Sequence, residues 1–203
     1  FFIECNKNPK TTILDLEGFF SSVVESIDDN KNIGLRVFFP SAENIDRFII
    51  NFKTNNALNN IKIDELLFQE GIEKHASCRS QISKFNSVNF SADSFNNKLN
   101  TNSVELINCN YLDGYNYGTI QISIERLITN LNYYDVNYKL EFLQNNNNPK
   151  KFVWINVFEN TDDNQNNIMN YVNKSDEFKE IQDEFTRNAN CSSSLKYLSY
   201  NLK

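Results

Sequence analysis

Two stretches of this chain say nearly the same thing. FQEGIEKHASC occupies residues 68–78 and IQDEFTRNANC residues 181–191. Laid side by side, Gln69 meets Gln182, Ala76 meets Ala189 and Cys78 meets Cys191. Phe68, Glu70, Ile72 and Lys74 meet the similar residues Ile181, Asp183, Phe185 and Arg187. The other two cysteines echo as well, FIECN at 2–6 against LINCN at 106–110, and VFFPSAEN at 37–44 can be set against VWINVFEN at 153–160. An internal repeat changes every later inference about fold, so it is read first. It implies two homologous domains, residues 1–102 and 103–203, joined through the polar, turn-rich stretch ADSFNNKLNTNS at 92–103.

The repeat organises the cysteines. Each copy carries one near its start and one near its end: Cys5 and Cys78, then Cys109 and Cys191. No pair has CxxC spacing, and the chain has 1 His, His75, so a zinc site is not indicated. Four cysteines allow three connectivities; duplication selects Cys5–Cys78 with Cys109–Cys191. Each bond would close a loop of ~75 residues and stabilise its domain by roughly 4 kcal/mol in the chain-entropy model. Structural disulfides imply an oxidising compartment, which places the protein outside the cell or on its surface. The sequons at Asn89, Asn173 and Asn190 are glycosylation candidates that fit this compartment. Four buried free thiols in an intracellular protein are the alternative.

Charge removes some function classes. The formal net charge is −6 and the pI about 4.9. A nucleic-acid binder needs a basic surface to neutralise phosphates, and none is present. No apolar run is long enough for a transmembrane helix. The chain opens FFIECNK without Met, as a mature or excised segment does. The abundant Asn reads as codon bias, so Asn matches carry no weight in the repeat.

Several segments alternate as half-buried strands do. In YDVNYKLEF, Val136, Tyr138, Leu140 and Phe142 share one face. Residues 34–39, 87–91, 104–109 and 151–158 are β-rich, and 12–16 is a weaker strand. YGTIQISIERL at 117–127 sets Ile120, Ile122 and Ile124 on one strand face. Helical signals fall in SAENIDRFIINFK at 41–53, with Ser41 as cap, where the run RFIINF equally fits a strand, and in KSDEFKEIQDEF at 174–185, the better of the two, where Phe178, Ile181 and Phe185 follow helical spacing. The matching segment of the first copy contains Gly71 and should hold a shorter helix. The expected fold is mainly β: two tandem disulfide-stapled β-sandwich domains with a few short helices.

Catalytic signatures are absent. His75 aligns with Asn188 in the repeat, so no repeated catalytic histidine exists. No GxSxG, GxGxxG or P-loop occurs. The acidic runs at 28–30 and 161–164 lack the alternating ligands of a calcium loop and read as solvated turns. Trp154 reads as core. No catalytic residue, metal or cofactor is therefore assigned, and the chain is expected not to be an enzyme.

The ECN and NCN openings, the Cys-bearing segments before a last strand and the two copies together resemble the six-cysteine surface-antigen family of malaria parasites and their relatives. That resemblance implies degenerate tandem β-sandwiches keeping two cysteines per copy. It also implies a secreted or surface location and a recognition or complex-assembly role in host-cell invasion or cell-cell adhesion. The partners would be other surface proteins in a hetero-complex, with no nucleic acid. The competing readings are an intracellular α+β protein with free thiols and a carrier of lipids or other small ligands in a Phe-rich interior. Peptide mapping of a non-reduced digest is expected to recover Cys5 with Cys78 and Cys109 with Cys191; a Cys78–Cys109 peptide pair would refute the two-copy reading.

Overall fold

The computed structural model describes residues 1–27, 33–41, 46–54, 63–79, 83–95, 100–158 and 175–203, the side chains of 63 and 64 excepted. The described chain is mainly β, with ten strands and four α-helices. It divides into two compact units. Unit 1 comprises Phe1–Ser83 and Leu198–Lys203; unit 2 comprises Lys84–Tyr197.

In unit 1 the order is β1 (Phe2–Lys7), α1 (Ile13–Ser26), β2 (Ile33–Pro40), β3 (Arg47–Thr54), α2 (Ile63–Gln69), a 3-10 turn (Ile72–Lys74) and β4 (Ala76–Cys78). The strands lie side by side as β4-β1-β3-β2. Unit 2 repeats this plan with β6 (Thr101–Tyr111), α3 (Tyr117–Tyr133), β7 (Lys139–Asn145), β8 (Lys151–Phe158), α4 (Asp176–Asn188) and β9 (Ala189–Cys191). There β9 pairs β6, β6 pairs β8 and β8 pairs β7, so the lateral order is the same. Each copy is a βαββαβ motif. Each is followed by one more strand, β5 (Phe85–Ser91) and β10 (Leu195–Asn201). β5 follows the first copy in sequence but pairs β7 of unit 2, Phe85 opposite Asn145 through Ser91 opposite Lys139. The end of the chain returns to unit 1, where Leu35 N donates to Lys203 O (3.0 Å) and Leu202 N to Leu35 O (2.9 Å).

Within each unit the paired strands form one antiparallel layer covered by helices, so two-sheet sandwiches give way to an α+β layer pair. The reason is visible at 117–127. Asn116 caps this segment by accepting from Gly118 N (2.8 Å) and Thr119 N (3.4 Å), and Thr119 Oγ1 accepts from Asn116 N (3.1 Å). That reciprocal box satisfies the first free amides of a helix. Ile120 and Ile124 are then buried one turn apart, while Ile122 is 62% exposed. The alternation of three Ile suggests a strand; the i, i+4 pair and the cap decide for α3. The weak strand expected at 12–16 is corrected on the same grounds, since Thr12 and Asp15 form the corresponding box at the start of α1. At 41–53 the strand reading of RFIINF prevails over the helical one. Residues 47–54 are β3, buried on both faces between β1 and β2, which suits the β-branched and aromatic run RFIINF. Residues 42–45 lie outside the described residues.

The second helix of each copy behaves as its spacing implies. In α4, Phe178 and Ile181 are buried and Phe185 half-buried. In the first copy Gly71 adopts φ +86°, a left-handed conformation open to Gly, and the helix gives way there to the 3-10 turn. That break shifts the phase: Phe68 is 68% exposed where its partner Ile181 is buried, and Leu67 takes the core position instead. The match of 37–44 to 153–160 also fails, because it sets β2 against β8, whereas the strand order makes β3 the counterpart of β8.

The disulfides lie at the centre of this symmetry. Cys5 faces Cys78 across β1 and β4 (S–S 2.06 Å), and Cys109 faces Cys191 across β6 and β9 (S–S 2.07 Å). Above the unit 1 sheet, Leu16, Phe19, Phe20 and Val23 of α1 pack on Cys5, Leu35, Val37, Phe48 and Ile50. Above the unit 2 sheet, Ile120, Ile124 and Leu131 of α3 and Phe178 of α4 pack on Leu140, Phe142, Phe152 and Trp154. Truncating Ile124 to Ala should therefore cost about 2–5 kcal/mol in urea unfolding, while Ile122→Ala should stay within about 0.5 kcal/mol; equal costs would restore the strand reading of 117–127.

Candidate functional site

Strand register makes the two units comparable position by position. Cys5 stands opposite Phe48 as Cys109 stands opposite Phe152. Two residues along, Ile3 faces Ile50 and Ile107 faces Trp154. The next step sets Phe1 beside Phe52, exchanging backbone hydrogen bonds, and Glu105 beside Asn156. On the neighbouring strand Leu35 faces Phe52 as Leu140 faces Asn156, so Ile33 corresponds to Tyr138. Four helix-facing positions held by Phe1, Ile33, Ile50 and Phe52 in unit 1 are thus Glu105, Tyr138, Trp154 and Asn156 in unit 2.

These four side chains of unit 2 form one hydrogen-bonded cluster. The Tyr138 hydroxyl donates to Asn156 Oδ1 at 2.6 Å, and the Trp154 indole N–H donates to the same oxygen at 2.5 Å. Asn156 Nδ2 donates to Glu105 Oε2 at 3.2 Å. Tyr138 and Trp154 are buried, 4% and 8% exposed. Burial pushes the Tyr138 phenol well above the ordinary tyrosine range; the nearby indole N–H opposes the rise and the Glu105 carboxylate adds to it.

The cluster lines a cavity of about 910 Å³ between the unit 2 sheet and helices α3 and α4. The rest of its wall is largely apolar, including Ile120, Leu127 and Leu131 of α3 and Phe178, Ile181 and Phe185 of α4. Phe185 stands edge-on to Trp154, ring centroids 4.8 Å apart. Arg126 of α3 pairs with Glu180 (3.7 Å) and Glu184 of α4, tying the two helices together. Cys109 and Cys191 also contribute to the lining, and so does Lys196. A cavity of this size, apolar with a few convergent polar groups, is the usual form of a small-molecule site.

The sequence-derived candidates fall elsewhere, except at this disulfide. His75 is half-buried against Phe19, rings 5.5 Å apart, beside a hollow of unit 1 shared with Asp15 and Lys74. Asp15 is held below the ordinary aspartate range by hydrogen bonds from the Thr12 backbone and hydroxyl. Asn89 is exposed on β5, and Asn190 is exposed on β9 at the cavity edge. Asn173 and the acidic runs at 28–30 and 161–164 lie outside the described residues. Among the described residues no group of His, Cys, Asp and Glu is placed to hold a metal, and no helix is long and apolar enough to cross a membrane. Glu105 and Asn156 carry no sequence signal of a site, Tyr138 reads only as one of a strand face and Trp154 only as core. The signal lay in the register: once the repeat is aligned by strands, these are polar-for-apolar exchanges at inward positions.

No family model matches the sequence, and no curated protein matches it. Two solved structures do match the fold, both described as putative monooxygenases. The one from Lactobacillus acidophilus NCFM shares 14% identity, covers 100% of this chain and 99% of its own, and superposes with a TM-score of 0.62. The one from Fusobacterium nucleatum shares 12% identity, covers 100% of this chain and 91% of its own, with a TM-score of 0.57. At these identities the likeness is one of fold. It overturns the resemblance to six-cysteine surface antigens, because the full-length match is to bacterial proteins of another architecture. The expectations of a non-enzymatic recognition protein acting in adhesion or invasion fall with it, and what the chain shares with these two proteins is their fold.

The state of Tyr138 sets a pH dependence. An unfolded tyrosine ionises near pH 10.0, whereas the folded phenol holds its proton to higher pH. Above that pH the unfolded chain binds fewer protons than the native one, so stability falls as pH rises. Urea unfolding as a function of pH should show this alkaline loss, and Tyr138→Phe should make it shallower; an unchanged slope would contradict the buried placement of the phenol.

Proposed function

We propose that unit 2 binds a small, largely apolar organic molecule in its cavity and is the seat of monooxygenase-type oxidation of that molecule. The observation that carries this reading is the Glu105–Asn156–Tyr138–Trp154 cluster, present in one of two otherwise parallel units and set in an apolar cavity. Buried polar groups cost stability unless they are bonded, and unit 1 shows that the same scaffold holds together with apolar residues at those positions. A polar cluster that the fold does not need is best explained by a ligand. The class of chemistry comes from the two fold neighbours, both described as monooxygenases of unproven activity.

A monooxygenase places one oxygen atom of dioxygen on its substrate and releases the other as water, drawing the electrons from the substrate or a separate reductant. The residues of this chain suit a supporting part in such a reaction. Asn156, fixed by three hydrogen bonds, holds Tyr138 and Trp154 in place against the ligand. Glu105 is the one carboxylate among the described cavity residues and is positioned to take a proton from a bound molecule. The apolar walls exclude water from the reacting group. In unit 1 the matching positions hold Phe52 and Ile50, both fully buried, and no such polar cluster stands there among the described residues. Of the alternatives weighed from the sequence, a carrier of small ligands is the nearest to this reading.

Small molecules extracted with apolar solvent from the purified protein, and from cells that make it, should be returned to the protein under isotopically labelled dioxygen. Mass spectrometry is expected to find one labelled oxygen in a product, with the yield lowered roughly tenfold or more in Asn156→Leu. A ligand that binds but never acquires label would leave a carrier and remove the oxidation.

A further inference from the structure

The cavity has a long axis, and the geometry of its walls measures it. The β6 wall runs from Glu105 to Cys109, a span of about 14 Å at the usual strand rise. The α3 wall runs from Ile120 to Leu131, a span of about 16 Å at the usual helix rise. The two ends of this axis differ. At one, Val136 N donates to Leu131 O (3.0 Å), and Tyr134 after α3 meets Phe178 at the start of α4, ring centroids 6.1 Å apart. That end holds Tyr138 and Asn156. Its walls are closed, since Leu131, Tyr138, Phe158 and Phe178 are at most 4% exposed. At the other end Leu112 N donates to Asn188 O (2.9 Å), where α4 finishes. The lining residues open to solvent belong to α4, to the chain that follows it and to this junction. They are Gln182, Thr186, Asn190, Cys191 and Lys196, with Leu112 42% exposed. The mouth therefore lies beside α4 and β9, and the Tyr138–Asn156 pair lies innermost.

We propose that this cavity takes an elongated amphiphile lengthwise: an apolar body of about 14 Å with one terminal hydroxyl, the hydroxyl innermost against Tyr138 and Asn156 and the far end at the mouth beside Leu112. The proposal rests on the cavity being a ligand site, and it adds the length, the single polar group and the direction in which the molecule lies. A hydroxyl both donates and accepts, so it can meet a phenolic oxygen or an amide without displacing the bonds those groups already make. An ion carried to the closed end would lose its hydration. Between the ends the wall away from solvent is Ile107, Leu127, Ile181 and Phe185, so a second polar group along the body would be buried without a partner. Spread over about 14 Å, a volume of about 910 Å³ leaves a section of roughly 65 Å², more than one alkyl chain fills. Length rather than girth is then the selective dimension. With carbon–carbon bonds of about 1.5 Å, a zigzag chain of roughly eleven carbons spans it.

The chain has 1 Trp, Trp154, and it lines the cavity, so its fluorescence reports binding without a label. The probes are straight-chain primary alcohols from about six to about fourteen carbons, titrated into the intact, disulfide-bonded chain at neutral pH. Affinity is expected to rise roughly two- to fourfold with each added methylene and to level off at about ten to twelve carbons, where the chain reaches the mouth. Leu112→Ala, at a part-exposed position, should weaken the longest alcohols roughly threefold or more and leave those of about eight carbons or fewer unchanged. Tyr138→Phe should weaken every member by a similar factor, roughly fivefold, because each loses the same hydrogen bond. The Leu112 variant decides the direction even where the Tyr138 variant fails to fold. A plateau at about six carbons, or a gain that continues through about fourteen, overturns the lengthwise fit while leaving the cavity a ligand site. An effect of Leu112→Ala that is equal at all lengths, or nil at all of them, overturns the direction. Failure of every alcohol to perturb Trp154 removes both this inference and the ligand site.

Discussion

The pairing of β6 with β8 is the constraint on which the unit 2 site depends. It sets Glu105 opposite Asn156 and Ile107 opposite Trp154, all on the face turned toward the helices. A slip of one residue would send this whole row to the other face, where Val104, Leu106, Val153, Ile155 and Val157 are buried instead. The register is held from the far side as well. Three residues of β9 pair with β6, and the Cys109–Cys191 bond locks that short strand in place. A three-residue strand has little pairing energy of its own, so a covalent staple at its end matters more there than it would in a long strand. Because β9 follows α4 without a break, the same staple fixes the end of the helix that roofs the cavity.

The two units show how one scaffold can be filled or left open. Both carry a cross-strand disulfide at the same register, a capped first helix and the same strand order. They differ in what stands on the helix side. Unit 1 places Phe52 and Ile50 there, and its second helix is cut at Gln69 ahead of the left-handed Gly71. Unit 2 has the longer α4, and the Arg126 pairs with Glu180 and Glu184 hold it to α3 by charge at the solvent side. A roof held partly from outside does not need to be packed solidly from below, which lets a cavity persist where large side chains would otherwise meet. Part-exposed ion pairs contribute little to overall stability, so their role here is to position rather than to bind strongly.

Much of the architecture was legible in the sequence because it rests on covalent and periodic signals. FQEGIEKHASC and IQDEFTRNANC occupy matching places in the element order of the two units, and the strands at 34–39, 87–91, 104–109 and 151–158 lie where alternation and β-branched runs put them. The errors have physical causes. Three Ile at alternate positions in 117–127 imitate a strand, yet the Asn116–Thr119 box turns the segment into a helix with its middle Ile in solvent. RFIINF imitates a helix by its spacing of Phe and Ile, but a strand buried on both faces needs no alternation. With one helix missed per copy, the strands that remained pointed to sandwiches, and sandwiches with paired cysteines pointed to the wrong family.

The site itself was hidden by composition. Asn156 is the hub of the cluster, and in a chain this rich in Asn a single Asn carries no signal. Its meaning appears only when β8 is laid on β3 and Phe52 stands in its place. The same comparison separates structure from function without any relative to align. At positions where both copies are apolar, or both are Cys, packing is reason enough for the residue. At positions where one copy is apolar and the other holds a bonded polar cluster, the scaffold has shown that it folds without that polarity. The two units thus supply an internal control: unit 1 shows what the fold requires, and what unit 2 adds to it at Glu105, Tyr138, Trp154 and Asn156 is polarity that packing alone does not call for.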